Sequence, residues 1–209
     1  MRLISIKQAY SKKFQTFDLD DDWREIFGNP EKNGAWLVYG RDKHGKTTLT
    51  LMLAKMLSDF EKVTCCFAEE GISKNIIETA KRVGIDDTNK NIKLSGYETF
   101  EELDARLSKR ESSRITIVDN ITVYNDEVTK KQLLEFIRKH EKKLIIFLAH
   151  EERKEPQGAL AKLWKKLSKI ILHVEGLKAF VSGRCPGGTI IINEEKSQTY
   201  WGTETPEKT

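Results

Sequence analysis

The segment Gly40-Arg41-Asp42-Lys43-His44-Gly45-Lys46-Thr47 follows directly on the apolar run Ala35-Trp36-Leu37-Val38-Tyr39, and a helix-forming stretch opens at Lys46-Thr47-Thr48. A strand that enters a glycine-bounded loop, with a helix beginning on the loop's last residues, is the arrangement of a phosphate-binding loop. Gly40 and Gly45 carry no Cβ, so successive backbone N–H groups can turn inward around a phosphate. Lys46 is placed to reach β- and γ-phosphates and the Thr47 hydroxyl to meet Mg²⁺. The amino end of the helix adds partial positive charge. Gly40 to Thr48, with Arg41, Asp42, Lys43 and His44 filling the loop, is therefore the candidate nucleotide-binding segment. A nucleoside triphosphate is the ligand it implies.

The rest of the chain must accommodate that unit. Its 209 residues suit one α/β domain with a full core, and 33% charged residues describe a polar globule. No apolar run approaches the length of a membrane span, and Met1-Arg2-Leu3-Ile4-Ser5-Ile6-Lys7 lacks the apolar core of a secretory signal. A cytoplasmic chain without a membrane partner is expected. Cys65, Cys66 and Cys185 form no disulfide framework, and no second Cys/His pair sits at ligand spacing, so buried thiols are expected instead. Acidic and basic residues cancel over residues 1–120, which leaves the whole net charge of +4 in residues 121–209. That asymmetry permits a polyanionic partner.

Phe14 to Asn33 reads as a lead-in packed on the domain edge, and the predicted divisions are 1–33 for the lead-in, 34–202 for the domain and 203–209 for a frayed tail. Leu49, Met52, Leu53, Met56, Leu57 and Phe60 recur at helical spacing. Val63–Phe67 and Ile92–Leu94 read as strands, separated by a helix over 73–83. A helix through Phe100, Leu103 and Leu107 leads to the β-branched run Ile115–Asp119, and another over about 127–141 leads to Leu144–Ala149, ending at His150. Strands with near-continuous apolar runs, alternating with helices, predict a parallel sheet covered on both faces. From about residue 170 the runs Ile170–Val174, Ala179–Val181, Thr189–Ile192 and Gln198–Trp201 predict an antiparallel extension.

A phosphate-binding loop needs an acidic partner for its metal. Asp119 ends an apolar strand, where ligands gather in parallel α/β sheets, and is the candidate. Asn120 follows it, so no catalytic carboxylate comes immediately after. Glu69 and Glu70, just beyond the strand 63–67, are the candidates to polarise an attacking water; Glu69, nearer the apolar run, is the first choice. His150 is placed to sense the γ-phosphate or to orient water.

These residues together resemble the RecA-like ATPases, the group of recombinases, RadA-type proteins and replicative helicase motors. The resemblance rests on the loop ending Gly45-Lys46-Thr47-Thr48, the glutamate after the next strand, Asp119 without a following Glu, and the polar end of the fourth strand. It covers roughly residues 34–201 and is also similar to small phage or mobile-element ATPases with a His-Glu pair, here His150-Glu151. It implies ATP with Mg²⁺, a homo-oligomer and a role in DNA recombination, repair or replication. Val181-Ser182-Gly183-Arg184 is similar to a Lys-x-Arg segment that reaches a neighbour's nucleotide. Arg184 fits its arginine, Ser182 replaces its lysine, and Lys178 lies near enough to substitute.

For single-stranded or duplex DNA, Lys162, Lys165, Lys166 and Lys169 read as a stripe on one helix face, with Leu160, Leu163, Trp164, Leu167 and Ile171 opposite. By the family analogy Lys130, Lys131, Arg153 and Lys154 are further candidates, the last two in a mobile loop over 151–158. A nucleotide-gated loader with little turnover and a small-molecule kinase are the competing functions.

Overall fold

The computed structural model describes residues 3–202. Helix α1 (Ile6–Tyr10) buries no side chain, and α2 (Asp21–Phe27) follows it. Strand β1 (Gly34–Gly40) then delivers the chain to the loop and to α3 (Lys46–Ser58). The units β2 (Val63–Phe67), α4 (Lys74–Arg82), β3 (Ile92–Ser95), α5 (Phe100–Ser108) and β4 (Ile115–Asp119) alternate as the apolar pattern demands. A 3₁₀ turn (Ile121–Tyr124) and α6 (Lys130–Lys139) precede β5 (Leu144–Glu152), β6 (Glu155–Pro156) and α7 (Ala159–Leu167). Strands β7 (Ile170–Glu175), β8 (Lys178–Gly183) and β9 (Gly188–Ile191) and helix α8 (Glu194–Trp201) complete the chain. Among the described residues no helix is long and apolar enough to cross a membrane. The expected tail, 203–209, lies outside the described residues, as do the first two residues of the lead-in.

The sheet runs β3-β2-β4-β5-β1-β7-β8-β9, with β6 attached to β5. Every pair from β3 to β7 is parallel, and β8 and β9 add antiparallel edges. Side chains of β1 alternate between the two faces. Trp36 and Val38 enter the core beneath α3, with Leu49, Leu53 and Leu57. Ala35, Leu37 and Tyr39 enter the core beneath α5, α6 and α7, with Leu103, Phe136 and Trp164. Burial on both faces is why these strands read as unbroken apolar runs. Trp164 donates its indole N–H to the Trp36 carbonyl at 2.8 Å, so α7 is keyed to the strand that carries the loop. The lead-in contributes Phe17, Leu19 and Phe27 to the core beneath α3, and Phe27 stacks on Trp36 with ring centroids 5.4 Å apart. Cys65 and Cys66 are buried, and burial pushes the Cys65 thiol up to about 12.

Three expectations require correction. Ile170–Val174 pairs parallel to β1, and the antiparallel part begins only at β8. Helix α7 spans the distance from the β5–β6 hairpin back to the start of β1's other neighbour, and such a crossover produces parallel pairing. Gln198–Trp201 is helical: Asn193 caps α8 by accepting from the Lys196 N–H at 2.9 Å, a signal the short aromatic run obscured. The segment over 151–158, expected as a loop, is partly strand. Strand β5 continues to Glu152 and turns through Arg153 and Lys154, both at positive φ, into β6.

Candidate active site

Four parallel strands end side by side at one edge of the sheet, in the order β2, β4, β5, β1. Phe67 of β2 is the register partner of Asp119, and His150 of β5 is that of Gly40. Glu69, Asp119, His150 and the loop are thereby brought to one edge, although they are widely separated in sequence. Helix α3 closes the arrangement with its amino end at Lys46. The resulting cleft, about 560 Å³, is lined by Lys46, Thr47, Glu69, Glu70, Asp119 and His150. Asp42, Lys43, Gly45 and Thr48 complete the loop side of its wall.

The two loop glycines are required for different reasons. Gly45 sits at φ +107°, a conformation that side chains rarely adopt, where it caps α3. A Cβ on Gly40 would lie 2.2 Å from the Val174 carbonyl oxygen, so there it is the close approach of β7 that excludes a side chain.

Lys46 is buried at 8% exposure, and its ammonium donates to the carbonyls of Gly40 (2.8 Å) and Arg41 (2.9 Å) and to Asp42 Oδ1 (3.2 Å). Burial acts to raise the Asp42 carboxyl, but Lys46 and His150 outweigh it and hold the group below its usual value. His150 stands between two acids. Its Nε2 lies 3.1 and 3.2 Å from the Glu69 carboxylate oxygens, and its Nδ1 lies 2.5 Å from Asp42 Oδ1 without hydrogen-bond alignment. Arg41 reaches the buried Glu151 at 3.5 Å, and Glu151 also meets His173 Nε2 at 2.7 Å, which ties the loop to β7. The His44 ring Nδ1 accepts from the Gly176 N–H at 3.0 Å and secures the other side of the loop to the β7–β8 turn.

Asp119 lies deep in the cleft. Burial first, and then the like charge of Glu69, push its carboxyl up to about 6 against the pull of Lys46 and His150. A hard cation bound beside it would reverse that imbalance. The Thr47 hydroxyl and the Asp119 carboxylate in one cleft are the oxygen donors Mg²⁺ favours, which commonly takes one or two carboxylates and leaves its other positions to phosphate and water. The residues present therefore fit a magnesium–triphosphate ligand.

The structure separates the two glutamates. Glu70 turns to the start of α4, where it accepts from Ser73 Oγ (2.8 Å) and Asn75 Nδ2 (3.3 Å). Glu69 faces His150, and its Oε2 accepts from the buried Asn120 side chain at 3.2 Å. Asn120 is itself fixed, its Oδ1 accepting from the Thr122 N–H (2.7 Å) and hydroxyl (2.6 Å). The residue that appeared in the sequence only as a missing glutamate thus positions Glu69. Asn75, Thr79 and Arg82 on one face of α4, with Leu177 and Lys196, also line the cleft and were not foreseen. The helical spacing of the first three is visible in the sequence, but which face of α4 meets the cleft depends on Ile76 packing into the core.

Arg184 is not brought to this cleft. Strand β8 runs antiparallel to β7, so Lys178 pairs with Glu175 at the loop end while Gly183 pairs with Ile170 at the opposite end. The Arg184 N–H accordingly bonds the Lys169 carbonyl at 2.6 Å. Lys178 sits at the loop end with its ammonium over the Trp201 ring, 5.6 Å from the centroid. The lysine stripe divides as well. Lys165 binds Glu155, and Lys169 lies beyond the end of α7, where it binds Glu31 and Asn33. Lys162 and Lys166 remain together with Lys130 around a groove between α6 and α7. Lys131, Arg153 and Lys154 are exposed.

No protein-family model and no curated protein matches the chain. Among solved structures it is similar to the flagellar accessory protein FlaH from Methanocaldococcus jannaschii, at TM-score 0.62 and 16% identity over 86% of this chain and 92% of that one. This chain has a RecA-like fold. At that identity the likeness concerns backbone architecture.

Proposed function

We propose that the chain is a Mg²⁺-dependent ATPase that acts on DNA in recombination, repair or replication. The observation that carries the ATPase reading is the convergence of Lys46, Glu69, Asp119 and His150 from separate elements on one cleft. Backbone amides of the loop and the amino end of α3 receive the phosphates, and Lys46 exchanges its loop carbonyls for phosphate oxygens. Asp42 must then part from Lys46, because its carboxylate would face like charge. Thr47 and Asp119 hold Mg²⁺, which supplies charge neutralisation along the phosphate chain. Glu69, oriented by Asn120 and His150, polarises the attacking water.

Glu69→Gln is expected to retain nucleotide binding and lower turnover by about 10²–10⁴-fold, the usual contribution of a positioned general base. Glu70→Gln should leave turnover near that of the native chain, and phosphate release measured for both variants distinguishes them. Ser73→Ala, which removes the α4 cap accepting from the Ile76 N–H, should cost about 1 kcal/mol in a denaturant titration.

The DNA part of the proposal is supported by Lys130, Lys162 and Lys166 around their groove and by the sequence resemblance, which also carries the phage or mobile-element association. A second reading, a nucleotide-gated module with little turnover, is favoured by Ser182 standing where the similar segment carries a lysine. The motor reading requires an oligomer in which Arg184, remote from its own cleft, serves a neighbouring one. Phosphate release with and without single-stranded DNA, across salt and protein concentrations, tests these readings. Turnover raised by DNA and lost on dilution or in Arg184→Ala supports the motor; nucleotide-dependent partner binding without turnover supports the module.

A further inference from the structure

At the edge of the sheet opposite the nucleotide cleft, a second cavity of about 500 Å³ opens below the carboxyl end of α5. Lys93, Arg106, Lys109 and Arg110 line it, with Glu111 as its one acid. Lys93 is the register partner of Thr64, so both side chains leave the sheet on the face that α5 covers. Behind this wall, the Lys143 ammonium donates to Ser112 Oγ (2.7 Å) and to the Ser113 carbonyl (3.1 Å).

The cations outnumber their partners. Arg106 is held by Glu98 through its Nε (3.0 and 2.9 Å), while its buried Nη2 has no acceptor. Lys93, Lys109 and Arg110 are exposed and form no ion pair among the described residues. Burial, and then the nearby charges of Arg106 and Arg114, lower the Lys143 pKa. Cations near the end of α5 would complement its dipole. That explanation covers Arg106 and Lys109 but not Lys93, which comes from β3, or Lys143, which comes from the loop before β5.

We propose that this pocket binds a phosphate group, presented either by a polynucleotide backbone or by a small free polyphosphate. A phosphate offers several acceptor oxygens and compensating charge to groups that otherwise repel one another. The site lies at the other end of the strands from the loop, so it is independent of the ATPase reading.

The test uses the full chain carrying Lys46→Ala, with and without the added pair Lys109→Glu and Arg110→Glu, both folded by circular dichroism. A labelled single-stranded oligonucleotide is titrated by anisotropy, and inorganic pyrophosphate by calorimetry. The charge reversals should weaken binding by about tenfold or more and make the salt slope for the oligonucleotide shallower by about 2. Loss confined to the oligonucleotide assigns the site to a backbone, loss confined to pyrophosphate assigns it to a small anion, and loss of both supports a site for phosphate from either source. Neither probe binding, or both binding equally well after the reversals, overturns the proposal. ATP turnover without polynucleotide, measured for the two reversals in an otherwise native chain, should be unchanged, which keeps this result separate from the fate of the ATPase reading.

Discussion

Lys46→Ala is expected to lower ATP hydrolysis by about 10²–10³-fold, the scale on which loss of one preorganised donor to a transition-state oxyanion is felt. The ammonium is buried at the base of the loop and is held by Gly40, Arg41 and Asp42, so in the proposed ATPase it has only to exchange these partners for phosphate oxygens when nucleotide arrives. Burial of this kind separates it from a solvated surface lysine. The substitution also releases Asp42, which then bears on His150 alone. Steady-state phosphate release together with nucleotide affinity resolves the effect. A variant that hydrolyses ATP as fast as the native chain would sink the assignment of this cleft.

Asp119→Asn should stabilise the fold while abolishing Mg²⁺-dependent turnover. A partly exposed but desolvated carboxyl raised to about 6 from 3.8 binds its proton more tightly in the folded chain than in the unfolded one. The stability this provides is complete below about pH 4 and is lost as pH rises through about 6, because the folded chain must then hold an ionised carboxylate that it disfavours. That difference corresponds to about 3 kcal/mol at neutral pH in the absence of metal. Asparagine carries no such charge, so the variant should exceed the native chain by up to that amount at pH 8 and lose the advantage toward pH 4. Urea titrations at several pH values, with metal removed, measure the difference directly. Carboxyls held low, such as Asp42 and Glu151, have the opposite pH dependence and cancel in the comparison. Adding Mg²⁺ and nucleotide should narrow the gap, since only the native carboxylate gains a cation. An equal pH dependence in both chains would show that Asp119 is neither desolvated nor crowded by Glu69 as described.

The two experiments probe different halves of the same cleft. In the proposed ATPase Lys46 would supply charge to the phosphates, and Asp119 holds charge that the fold tolerates poorly without a counter-ion. A site that stores such an imbalance gains from ligand binding what it lost on folding, which is how sites for charged ligands commonly differ from structural ion pairs.

Much of this was legible from residue order. The loop from Gly40 to Thr47 has local chemistry: two glycines, a lysine and a threonine work through backbone turns and a helix start a few residues long, so spacing alone reveals them. The apolar runs of β1, β2, β4 and β5 were equally plain, since strands buried on both faces leave no room for polar alternation. What tertiary structure alone decided was adjacency. That β4 and β5 lie between β2 and β1 brings Glu69, Asp119 and His150 into line, and no short-range pattern encodes that order. The meeting of Glu69 with Asn120, 51 residues further on, is of the same kind, whereas Glu70 is held by its near neighbour Ser73. The place of Arg184, read from a local motif, is likewise tertiary: the antiparallel run of β8 puts it at the end of the sheet away from its own loop, because direction reverses at every hairpin. Short-range geometry is written in neighbouring residues, whereas the meeting of distant ones depends on which strands find each other when the core closes.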